Sequence, residues 1–232
     1  MKVLGVTLAR GGSKGIPKKN LAMVGGKPLI QHTFDIIPGI CMMSDYIVST
    51  DCDEIISFSE SKGVQVPFKR PSHLSTDQAT SLDALIHATH FMEKQNDVKY
   101  DIVVELMCTN PFKEAKHVNL AIEKLIETNA DSVIGVSKVE EYHPARLKKI
   151  EDDKIVDFCV PELSSRRQDL RPFAYIRNGS IYAINRDALI DRNHRFGGDN
   201  SRPLIMPDKC SINIDSILDL KLAELILNDS LV

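Results

Sequence analysis

The sequence predicts an α/β fold built on a mostly parallel, open sheet flanked by helices. Three observations carry the prediction. Apolar, strand-length runs at 3–8, 46–50, 102–107 and 132–137 alternate with helix-like runs at 28–37, 53–62, 80–95 and 115–128. That alternation is the pattern of parallel strands joined by crossover helices. Ile102-Val103-Val104 is continuously apolar, as a strand covered on both faces should be. Third, a glycine-rich, basic loop follows the first strand, and open sheets of this kind bind ligands beyond the carboxyl ends of their strands.

The first strand, Val3-Leu4-Gly5-Val6-Thr7-Leu8, breaks into Ala9-Arg10-Gly11-Gly12-Ser13-Lys14-Gly15-Ile16-Pro17-Lys18-Lys19-Asn20. Glycine lets backbone N–H groups approach and cradle an anion. Arg10, Lys14, Lys18 and Lys19 add positive charge. It is not a Walker loop, because Gly15 is followed by Ile16-Pro17 rather than Lys-Ser/Thr. The dinucleotide fingerprint fails too, since glycines at 11, 12 and 15 miss its spacing. Cations packed beside paired glycines suit a triphosphate better than a plain surface turn.

Composition narrows the classes. The chain has 232 residues, 43% hydrophobic and 26% charged, enough for a single domain (1–232) with a real core. A net charge of −3 gives no bulk electrostatic case for nucleic acid or a membrane surface. No apolar run approaches the roughly 20 residues of a membrane span. The five cysteines are widely spaced, with no C-x-x-C pair, which suits free thiols in a reducing cytoplasm.

Further motifs follow in order. Ser49-Thr50-Asp51 closes the second strand, with Asp51 read as a cap for the helix at 53–62. Arg70-Pro71-Ser72-His73-Leu74-Ser75-Thr76-Asp77 leads to Thr80-Ser81, which opens a helix; a capped loop or a ligand-binding turn both fit. His87 and His90 share a helix face and lack a third ligand, so a surface or core role outweighs a metal pair. Met107-Cys108-Thr109-Asn110-Pro111-Phe112-Lys113 follows the strand at 102–107. Residues 138–177 are polar and turn-rich, like an extended hairpin arm. An arm without a core must lie on something, and a second subunit is the economical choice. Asn178-Gly179-Ser180-Ile181-Tyr182 reads as a strand after a turn. In Ser211-Ile212-Asn213-Ile214-Asp215, alternation puts Asn213 and Asp215 on one face of a strand, and Ser216 with Asp219 forms a capping box.

These blocks, in this order and spacing, resemble the acylneuraminate cytidylyltransferases, the CMP-sialic acid synthetases, over essentially the whole chain. The resemblance implies a nucleotide-diphospho-sugar transferase-like, Rossmann-like fold with an inserted dimerisation arm at 138–177. It implies transfer of CMP from CTP to the anomeric hydroxyl of a nonulosonic (sialic acid-like) acid, with release of pyrophosphate. Leu8, Ala9, Arg10, Gly11, Gly12, Ser13, Lys14, Lys19, Asn20, Arg70 and Ser81 would bind the nucleotide, with Arg10, Lys19 and Asp215 catalytic. Arg167 from the partner subunit would meet the sugar carboxylate, beside Asn178, Gly179 and Tyr182. Mg²⁺ would sit on Asp215, with Asn213 as an amide ligand or through water, in a homodimer with shared active sites.

The chain also departs from that pattern. Met107 stands where the family has a glutamine that helps bind the sugar, Lys113 where it has arginine, and Asn213 where it has aspartate. The family arginine two residues before Asn-Gly falls at Ile176, with Arg177 one place on, where strand alternation turns it to the other face. Two alternatives stay open: a nucleotidyltransferase of the same fold using a Kdo-like acid or a sugar 1-phosphate, or a nucleotide-binding homologue without turnover.

Overall fold

The central sheet starts from the most apolar segments. In the computed structural model, which describes residues 1–13 and 15–228, strands β1 (Val3–Leu8), β4 (Asp45–Ser49), β5 (Ile102–Leu106), β6 (Ser132–Val139), β9 (Ala174–Asn185) and β10 (Ser201–Ile205) form one sheet. Short hairpins β2 (Met23–Val24) with β3 (Lys27–Pro28), and β7 (Lys148–Glu151) with β8 (Lys154–Asp157), lie outside it. The helices are α1 (Leu29–Phe34), α2 (Asp53–Ser61), α3 (Ser81–Asn96), α4 (Ala115–Thr128), α5 (Arg186–Ile190) and α6 (Ile217–Asn228).

The order across the sheet is β10-β6-β9-β5-β1-β4. β1 pairs in parallel with β4 and β5, and β10 with β6, while β9 is antiparallel to both its neighbours. Five strands therefore run one way and β9 runs against them. The exception has a local cause. β6 and β9 are two legs of one long hairpin, Val139 opposite Ala174, so the return needs no crossover helix.

Alternation sorts side chains to two layers. Ile102, Val104 and Leu106 join α4 residues Val118, Ala121, Ile122 and Leu125 on one face. Val103 and Tyr182 join α3 residues Leu85, Ala88 and Met92 on the other. The helices begin and end where their chemistry dictates. Thr80 caps α3 by accepting the Asp83 N–H, Glu114 and His117 make a capping box for α4, and Asn129 ends α4 in the left-handed region at φ 45°.

Between the legs of β6 and β9 the stretch at 138–177 carries the short β7–β8 hairpin, and it buries little beyond His143, Ala145 and Leu170. Ile150, Ile155, Phe158 and Leu163 are all exposed, between 62% and 91%. Among the described residues no helix is long and apolar enough to cross a membrane.

Candidate active site

The loop after β1 is held by its own backbone and by carboxylate and amide side chains. The Ala9 N–H donates to the Ser49 carbonyl at 3.0 Å, and the Gly11 N–H donates to Asp51 Oδ1 at 2.9 Å. Asn20 Nδ2 donates to the Arg10 carbonyl at 3.0 Å, and the Cys108 thiol donates to Asn20 Oδ1, also at 3.0 Å. The reading of Asp51 as a helix cap is thereby overturned. Cys52 is the N-cap of α2 and makes no side-chain cap bond, while the Asp51 carboxylate fixes the glycine turn instead.

Beyond the carboxyl ends of β1 and β5 lies a cavity of about 320 Å³. Leu8, Arg10, Gly12, Ser13, Lys19, Asn20, Arg70 and Ser81 line it, as do Thr76, Asp77, Glu105, Met107, Cys108 and Thr109. Two of the expected nucleotide residues stand back. Ala9 is fully buried against Ile30 and Val48, and Gly11 is turned toward Asp51. Lys14 lies outside the described residues.

The cations at the mouth are already matched with anions. Arg10 Nη1 donates to Asp77 Oδ1 at 2.8 Å and to the Thr76 carbonyl at 3.1 Å. Lys19 Nζ meets Asp215 Oδ1 at 2.7 Å. Arg70 is 5% exposed; its guanidinium donates to Ser49 Oγ at 2.9 Å and to the Ser49 carbonyl. It is an anchored wall of the cavity, and burial holds its pKa below the usual arginine value. Ser81 sits at the first turn of α3, where unpaired N–H groups favour an oxygen ligand.

The segment leading to Asp215 differs from its expected form. Residues 208–211 make a 3₁₀ turn, and 212–215 lie outside the sheet and form no strand, tied by the Ile214 N–H to the Thr109 carbonyl at 2.9 Å. Without a strand, Asn213 and Asp215 do not share one environment. Asn213 Oδ1 is buried and has no hydrogen-bond partner among the described residues, while the Asp215 side chain is 68% exposed. Two glycines fix this junction. Gly15 packs so closely on the Asp215 carbonyl that a Cβ has no room. Gly179 holds φ +60°, and a Cβ there would lie 2.9 Å from Asn213 Nδ2. Asp219 does complete the capping box, its Oδ2 accepting the Ser216 N–H at 2.7 Å.

The expected sugar residues divide into two places. Asn178 is buried, its Nδ2 near Ser137 Oγ at 3.4 Å and its Oδ1 unpartnered. Tyr182 pairs in register with Glu105 and is 5% exposed. Arg167 does not line the cavity. It sits on the arm, 3.7 Å from Glu140 and 4.0 Å from Glu141. Simple alternation does not hold at Arg177, because β6–β9 pairing is irregular between Ile134 and Val136; its guanidinium lies 3.9 Å from the Phe196 ring centre. His87 packs edge-on to Phe68, and among the described residues no group of three His, Cys, Asp or Glu could hold a metal.

Two charged groups escaped the sequence reading. Glu105 is 1% exposed, and Arg195 donates to it from Nε at 2.7 Å and Nη2 at 2.9 Å. Burial pushes the Glu105 carboxyl up, and Arg195 works against that. The available signal was a carboxylate inside an apolar run, which in a buried strand demands a partner. Lys113 is buried in the turn after β5, donating to the Met107 and Asn110 carbonyls at 2.8 and 2.7 Å, and desolvation pushes its pKa down to about 7.

A sheet of this order, with a glycine-rich cationic loop closing a cavity at its carboxyl edge, defines a nucleotidyltransferase fold. Solved structures agree on the fold: a CMP:2-keto-3-deoxy-manno-octonic acid synthetase complexed with CTP superposes over 100% of both chains at TM-score 0.72 and 18% identity. A family profile described as Cytidylyltransferase matches residues 4–205, and the chain belongs to that family. It is 32% identical to the CMP-N,N'-diacetyllegionaminic acid synthase of Legionella pneumophila, covering 97% of this chain and 95% of that one. It is 30% identical to the pseudaminic acid cytidylyltransferase of Campylobacter jejuni, covering 97% and 96%. With the N-acylneuraminate cytidylyltransferase of Streptococcus agalactiae the identity is 32% over 93% of this chain, which spans 51% of that longer protein.

Proposed function

We propose that the chain transfers CMP from CTP to the anomeric hydroxyl of a nonulosonic acid and releases pyrophosphate. The observation that carries the reading is the cavity at the carboxyl edge, where Arg10 and Lys19 stand beside the glycine loop and are held by exposed carboxylates. Charge-assisted contacts to a triphosphate can replace both exposed ion pairs, which are individually weak. The family and the relatives that make CMP-linked acids support the same transfer.

Such a reaction asks the protein for position and charge more than for covalent chemistry. Arg10 and Lys19 would offset charge on the phosphates, and Ser81 and the anchored Arg70 would bound the nucleoside. The donors at 213–215 fit Mg²⁺ in a limited way: one exposed carboxylate on Asp215 and one orphaned amide oxygen on Asn213. Mg²⁺ commonly takes one or two carboxylates plus substrate phosphates, so these two residues would hold it. When bound, the ion would neutralise charge on the leaving pyrophosphate.

The exposed apolar side chains of the arm support a homodimer in which Arg167 reaches the partner's cavity. Free cysteines at 41, 52, 108, 159 and 210 suit work in a reducing cytoplasm. A second reading, nucleotide binding without turnover, draws on the neutral Asn213 at the metal position. Initial rates against Mg²⁺ separate the two. Asn213→Asp should lower the Mg²⁺ needed for half-maximal rate, and Asp215→Asn should reduce turnover far more. An inactive parent beside an active Asn213→Asp variant would establish the second reading. Unchanged magnesium dependence in Asp215→Asn would remove this segment from the metal site.

A further inference from the structure

The turn after β5 joins stretches that the cavity uses separately. Met107, Cys108 and Thr109 line the cavity, and the same turn is bonded to the glycine loop and to the segment that ends at Asp215. One thread runs to the loop: the Cys108 thiol donates to Asn20 Oδ1 at 3.0 Å, and Asn20 Nδ2 donates to the Arg10 carbonyl at 3.0 Å. The other runs to the Asp215 segment. The Thr109 carbonyl accepts the Ile214 N–H at 2.9 Å, and Asn110 Nδ2 donates to the Cys210 carbonyl. Lys113 ties the turn from which both threads leave. Its Nζ donates to the Met107 carbonyl at 2.8 Å and to the Asn110 carbonyl at 2.7 Å, so Cys108 and Thr109 sit between the two bonds. Lys113 is 2% exposed and does not line the cavity. Among the described residues its hydrogen bonds go to carbonyls and not to a carboxylate. Burying an ammonium on such terms is unfavourable, and an apolar side chain would fill the same space with less penalty.

We propose that Lys113 is a positioning residue for the transfer, clamping the 107–110 turn so that the glycine loop and the Asp215 segment keep a fixed relation to one another. The inference rests on the function proposed above and deepens it. Neither stretch needs the clamp for its own shape. Asp51 also holds the glycine turn, and the Asp219 carboxylate and the close approach of Gly15 also hold Asp215. What the clamp adds is their mutual placement. An in-line displacement depends on that placement, since it needs the phosphates and the groups that offset their charge in one geometry. Binding of CTP by the loop alone does not. Loss of the clamp is therefore read in kcat more than in affinity.

Three variants test this. Lys113→Met removes the clamp at similar length, Lys113→Arg keeps donors for both carbonyls, and Cys108→Ala cuts the thread to Asn20. Pyrophosphate release is measured with CTP, Mg²⁺ and a nonulosonic acid, CTP affinity by calorimetry without acid, and folding by thermal unfolding. Lys113→Met should lower kcat about tenfold while CTP affinity stays within about threefold, and Lys113→Arg should recover kcat to within about threefold of the parent. Cys108→Ala should lower kcat about threefold. A folded Lys113→Met variant with the parent's kcat overturns the proposal. An equal loss of kcat in Lys113→Arg and Lys113→Met also overturns it, because the filled space and not the pair of donors would then matter. If Lys113→Met does not fold, Cys108→Ala decides, and the parent's kcat in that variant overturns the coupling. A parent that binds CTP but releases no pyrophosphate with any nonulosonic acid overturns the proposed function, and this inference falls with it.

Discussion

Lys113 shows how one buried charge sets a response to pH. Its nitrogen is enclosed, and desolvation brings its pKa from 10.5 to about 7. Between those values the unfolded chain holds a proton that the folded chain has lost, so this group makes stability rise with pH across that window. Lys113→Met should flatten the rise, by on the order of 1 kcal/mol per pH unit at most, in urea melts between pH 7 and 10. A variant with the parent's slope would mean that the lysine stays charged when buried. Arg195 carries the opposite lesson. Arg195→Met alone strands the Glu105 carboxylate, and its cost should be about 3–5 kcal/mol, well above that of the paired double change. At the cavity mouth, Arg10→Ala and Lys19→Ala should each slow pyrophosphate release at least about tenfold, since each removes a charge-assisted phosphate contact. Full activity in both at saturating substrate would end the phosphate assignment. Residues were partly legible in the sequence. The glycine-rich loop pointed to Arg10 and Lys19, and the resemblance to Arg70, and all three line the cavity. Arg195 was not legible, because its partner lies 90 residues away, and Asp51 was misread because its short-range cap role competes with a contact 40 residues distant.

Elements were legible where periodicity is strong. β1, β5, α3 and α4 fall within a residue or two of the apolar runs that predict them. The stretch at 211–215 was misjudged because alternation of Ile212, Asn213, Ile214 and Asp215 mimics a strand, whereas a 3₁₀ turn and one backbone bond to Thr109 shape it. β9 takes its direction from the arm rather than from its own composition. Two predictions belong here. Gly15→Ala should push the loop off the Asp215 carbonyl and weaken nucleotide binding, while the core, judged by thermal unfolding, changes little. Shortening the arm at the β7–β8 turn should yield monomers in light scattering, since exposed Ile150 and Ile155 flank that turn. An intact protein that is monomeric at micromolar concentration would remove the shared-site picture.

At the scale of the whole molecule, the sheet places three separate stretches at one edge. The loop after β1, the end of β5 and the start of α3 meet around one cavity although they are spread over about 100 residues. Fold class follows from local patterns and was therefore readable; the buried pairing of Glu105 with Arg195 was not, because those side chains meet only after folding. The central claim is the transfer itself, and one measurement addresses it most directly. Pyrophosphate release is followed for each of the four ribonucleoside triphosphates against nonulosonic acids, a Kdo-like acid and a sugar 1-phosphate, with Mg²⁺ present. The account predicts release with CTP and a nonulosonic acid, and far less with the other pairings. Release favouring another nucleotide or the sugar 1-phosphate, or none with any pair while CTP still binds, would contradict it.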